Sequence, residues 1–71
     1  MNLADADILE NYLRDLSLIL TDLYKETSDD SDGFQLGRRM AFREVISVMQ
    51  QQADLFQIPR DRINLPKEDM D

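Results

Sequence analysis

Between Ile8 and Tyr24 the chain places leucines at positions 9, 13, 16, 20 and 23, in alternating steps of four and three that return to one side of an α-helix. A strand cannot use this spacing, because it sends successive side chains to opposite faces. Leu9, Leu13, Leu16, Leu20 and Leu23 therefore predict a helix with one apolar seam. Ile8, Tyr12 and Ile19 widen the seam on one flank and Tyr24 on the other, giving a face of about 160° where ~100° suffices for one neighbour. Leu18 alone points the other way. Asp7 with Glu10 three residues later has the form of a capping box, which sets the expected start of the helix near Asp7.

The run Ser28-Asp29-Asp30-Ser31-Asp32-Gly33 favours a turn and is short enough to make the next helix antiparallel to the first. Asp32 with Gln35 can cap that second helix, and Asp29 and Asp30 suit its positive dipole end. Phe42, Val45, Ile46, Met49, Ala53 and Phe56 share one face of it, and Ala41, Val48 and Leu55 extend that face in a second direction. Gly37 and Ala41, four apart, offer a patch where another backbone can approach closely. Pro59 is the expected stop, since it lacks an amide proton and restricts Ile58. The expected organisation is a single all-α domain: helix 1 from about 7 to 27, a turn at 28–33, helix 2 from about 34 to 57, and a tail over 58–71. Ile58, Ile63 and Leu65 are placed to fold back on the hairpin, and the last residues are expected to move.

A chain of 71 residues hides only part of its apolar surface and needs reinforcement. With 0 cysteines, neither disulfides nor thiolate metal sites supply it. Two helices lying side by side bury one stripe each, so two broad faces leave apolar surface to cover. The simplest cover is a second copy, making a four-helix bundle by homodimerisation. The residues expected at helix–helix or dimer contacts are Leu9, Leu13, Leu16, Leu20, Leu23, Phe42, Val45, Met49 and Phe56. No run approaches the ~18 apolar residues of a membrane span, and the N-terminus is acidic rather than basic then apolar, so a cytoplasmic protein is expected.

The formal net charge is −7, and the segment up to Phe34 holds all of it, which argues against general adhesion to nucleic acid or anionic lipid. Histidine is absent as well as cysteine, which removes the commonest general base and thiol nucleophile, and the serines have no activating partner in sequence. No enzyme and no cofactor is expected. The acidic turn partly matches a calcium loop, with Asp30, Asp32 and Gly33 at its third, fifth and sixth positions, but its twelfth position is Arg39 where a bidentate carboxylate is required. No metal site is expected there.

Arg38, Arg39 and Arg43 concentrate positive charge on the first turns of helix 2, either paired locally with acids or forming a phosphate or acidic-partner contact. Among Gln50, Gln51 and Gln52, Gln52 is expected beside the core face. These features lead to a small non-enzymatic protein-interaction or regulatory module, acting as a helical-hairpin dimer towards an unidentified protein partner. The competing expectation is an RNA- or DNA-binding bundle that uses Arg38, Arg39 and Arg43.

Overall fold

The structure, a computed structural model, describes residues 3–27 and 33–70. Helix α1 spans Leu3–Glu26, helix α2 spans Gly33–Leu55, and a single 3-10 turn covers Arg60–Ile63. The two long helices pack against each other as a hairpin, and no strand occurs among the described residues.

Helix α1 begins four residues before Asp7, because Leu3, Ala4 and Ala6 are good helix formers and Asp5 supplies the acid of the first turn. Asp7 therefore lies inside the helix. Glu10 is turned to the other end of the chain, where its carboxylate meets Arg62 Nε at 2.5 Å. After Glu26 the Thr27 amide and hydroxyl both donate to the Tyr24 carbonyl, at 3.1 and 2.6 Å, and satisfy an orphan acceptor of the last turn. The caps expected from Asp29, Asp30 and Asp32, and the partial calcium pattern, fall outside the described residues.

Helix α2 stops before Pro59 has any influence on it. Gln57 takes a left-handed backbone with φ 60°. The Ile58 amide donates to the Ala53 carbonyl at 2.8 Å and the Gln57 amide to Asp54 at 3.1 Å, which together form a Schellman cap. Ile58 completes the motif by packing on the core around Ala53. The same device recurs one step later: Asn64, φ 61°, ends the 3-10 turn, with the Leu65 amide donating to Arg60 at 2.9 Å and that of Asn64 to Asp61 at 3.3 Å. Two left-handed residues thus fold the tail back on the hairpin, and Pro59 sits between them as the entry to the turn.

The core consists of Ile46 and Ala53 from α2 with Ile63 and Leu65 from the tail, and Leu13, Leu20, Tyr24, Met49, Ile58 and Met70 pack around it. What α1 buries completely is polar and small: Ser17, Thr21 and, just beyond its end, Thr27. Thr21 returns its hydroxyl to the Ser17 carbonyl at 2.8 Å, whereas the Ser17 hydroxyl oxygen has no hydrogen-bond partner.

The end of the chain is docked through Met70, contrary to the mobility expected of it. Gln50, only 2% exposed, donates its amide to the carbonyls of Pro66 and Glu68, both at 2.8 Å, and accepts from the Met70 amide at 3.2 Å. Arg60 ties Asp54 to Asp69 at 2.7 and 2.8 Å and also donates to the Lys67 carbonyl. Arg43 donates to the Met70 carbonyl. The hydrogen bond from Arg60 holds the Asp54 carboxyl below its ordinary pKa, and that from Arg62 does the same for Glu10.

Candidate functional site

The leucine seam is only partly buried in the hairpin. At about 100° per residue, the centre of Leu9, Leu13, Leu16, Leu20 and Leu23 lies about 80° round α1 from Ser17, which is 0% exposed. Leu13 and Leu20, on the near edge, reach the core, while Leu16 and Leu23 remain half-buried and Leu9 exposed. Beyond them stand Tyr12, 63% exposed, and Ile19, 56% exposed.

Helix α2 repeats this offset. Phe42, Val45, Met49 and Phe56 centre about 70° from Ile46, in the same sense of winding. Phe42 and Met49 are half-buried, Val45 is exposed, and Phe56 and Phe34 are 69% and 73% exposed. In an antiparallel pair, similar offsets in the same sense bring both strips to one side of the hairpin. The tail occupies the opposite side, since Arg43 and Gln50, which hold it, are offset from Ile46 in the other sense. Glu10 and Arg14, which meet Arg62 and Asn64, are likewise displaced from Ser17 in that other sense. From Asn64 to Met70 the tail therefore covers one side, Ile58 and Ile63 reach only one end of the other, and the sequence-predicted contact residues line the side left open.

At one end of this open side, Leu13, Met49, Ala53, Phe56, Ile58 and Ile63 surround a groove of about 210 Å³ with almost entirely apolar walls. Gln52 stands at its edge and is exposed. The buried amide is Gln50, not Gln52. The sequence held the signal for this, because positions 46, 50 and 53 share one helical line and Ile46 and Ala53 are core residues. Gly37 and Ala41 are exposed, and a Cβ on Gly37 would meet nothing within 4 Å, so the close approach expected there is not made inside the hairpin.

The three arginines separate. Arg39 stacks over the Tyr24 ring at 4.5 Å, donates to the Tyr24 hydroxyl at 3.0 Å and to the Thr27 carbonyl at 3.3 Å, and so fastens the end of α1 to α2. Arg43 is held by the tail. Arg38 alone turns to the open side, over the Phe42 ring at 5.4 Å. The cluster is thus divided between two structural contacts and one cation set among apolar residues.

Among the described residues no group of three potential metal ligands comes together, and no helix is long and apolar enough to cross a membrane. No protein-family model matches the chain, and no characterised protein or solved structure matches it significantly.

Proposed function

We propose that this chain is a small non-enzymatic protein-interaction module, acting in the cytoplasm, that works by burying its open apolar side against another polypeptide. The observation that carries the reading is the one-sided cover. The tail is fastened by Gln50, Arg43 and Arg60 over one side, while Leu16, Leu23, Tyr12, Ile19, Phe42 and Val45 stay wholly or partly in water on the other. A contiguous apolar patch of this kind marks an interaction site. The absence of cysteine suits a reducing compartment. The nucleic-acid alternative gains no support from the arginines, two of which are committed to Tyr24, Thr27 and Met70.

The test is capture on the immobilised full chain at native salt, run beside Leu16→Glu, with bound material identified by mass spectrometry. A stoichiometric polypeptide, either this chain itself or another protein, that disappears with Leu16→Glu supports the module. Retention of nucleic acid alone refutes it.

A further inference from the structure

We propose that the polypeptide buried on this side is a second copy of the chain, related by a two-fold axis along the hairpin that lays α1 of each copy on α2 of the other. This rests on the interaction-module reading and names its partner. Area is the first argument. The chain exposes 5313 Å², about 700 Å² more than the ~4,600 Å² expected of a compact monomer of its mass. A standard interface takes about 800 Å² from each partner, so one copy has the excess that the other needs.

Charge decides the arrangement. Asp15, Asp22 and Glu26 lie on the outer edge of α1, away from α2, and none has an ion-pair partner among the described residues. Arg38 is the cation on the α2 strip. The contact of Arg39 with Tyr24 and Thr27 fixes the relative heights of the helices, and it sets Arg38 level with the last turn of α1. A two-fold along the hairpin preserves those heights, so Arg38 of one copy comes level with Glu26, at the outer edge of the other copy's α1. The perpendicular two-fold would lay α1 on α1 and gather both acidic edges on one flank.

Shape agrees with charge. Leu9 and Tyr12 of the second copy arrive at the height of the groove beside Met49 and Phe56. Ala41, exposed in the single chain, lies at the outer edge of the strip, level with the last turn of the second copy's α1.

Sedimentation equilibrium of the full chain from low to high micromolar concentration should fit a monomer–dimer system. A wild-type chain that stays monomeric throughout overturns the proposal, and if Leu16-dependent capture of a different protein persists, the module reading survives it. Leu16→Glu should be monomeric at all these concentrations while keeping its helical circular dichroism. A Leu16→Glu chain that still dimerises overturns both readings. Since the chain has no cysteine, the arrangement can be tested by mixing Leu23→Cys with Ala41→Cys under mild oxidation. Crossed dimers should form in preference to disulfides between like variants, and the reverse preference refutes α1-on-α2 packing.

Discussion

Replacing Gln50 isolates the device that holds the tail. Its amide group donates to two carbonyls at 2.8 Å and accepts one amide at 3.2 Å, from a site only 2% exposed. Each such hydrogen bond contributes about 1 kcal/mol net. Gln50→Met keeps the stem and removes all three, with an upper limit near 3 kcal/mol. Residues 67–69 are exposed, so water recovers part of the loss at the freed carbonyls. The expected cost is therefore about 2 kcal/mol, a large share of what a chain of this size has.

Gln50→Glu separates hydrogen bonding from shape. The side chain is nearly isosteric, but at neutral pH a carboxylate would face the Pro66 and Glu68 carbonyls with no proton to donate. It should be less stable than Gln50→Met despite the closer fit, and should recover as acid protonates it. Urea denaturation at one fixed protein concentration, with proteolysis of the tail as a local readout, measures both variants. If Gln50→Glu matched the wild type at pH 7, the Gln50 contacts would be geometric coincidence and the one-sided tail would lose its fastening.

Ser17→Ala removes a buried hydroxyl that has no partner and should be neutral or stabilising by up to about 1 kcal/mol, whereas Ser17→Leu overpacks the helix contact and should cost about 1–3 kcal/mol; thermal melts of the two should move apart. Gln57→Gly places at φ 60° the residue that accepts this conformation freely, and chemical denaturation should show a gain of about 0.5–1 kcal/mol. Glu10 and Asp54 have folded pKa values below their ordinary ones, so the contribution of each is complete above about pH 4 and disappears as pH falls through the lowered value. Acid also relieves the repulsion of a −7 chain, so the informative quantity is the difference in melting temperature between wild type and Glu10→Gln or Asp54→Asn. That difference should be positive at pH 6 and close to zero at pH 2; equal melting temperatures at pH 6 would show that the Arg62 and Arg60 contacts contribute nothing.

The two helices and their antiparallel order were legible because periodicity and a short polar turn are local signals. The packing direction was not. A leucine seam names the most apolar side of a helix, but the chain buries Ser17 and Thr21 and sets the centre of the seam about 80° from Ser17. Apolarity alone does not mark small polar residues as a buried line. The return of Ile58, Ile63 and Leu65 to the hairpin was legible in their apolarity, but the docking of the residues after them was not. The tail's cover depends on left-handed backbone at Gln57 and Asn64, and only asparagine of the two advertises that conformation. Gln50 carries no apolar signal of its own, and only the narrow line through Ile46 and Ala53 marks its position as buried.

The polar contact at Ser17 explains why so short a chain has so much apolar surface in one place. Had Leu16 and Leu23 faced α2 directly, the hairpin would have buried its own best residues and offered water an acidic exterior. Rotating α1 about 80° gives that burial up within the hairpin and lines both helices along one side, in a body whose described residues measure 47 × 20 × 15 Å. Its least extent, 15 Å, is little more than the ~10–12 Å diameter of one helix with its side chains. A slab one helix thick has two sides. The tail, fastened by Gln50 and Arg60, closes the first, and the second, which carries Arg38 over Phe42, is the side that the proposed second copy would cover.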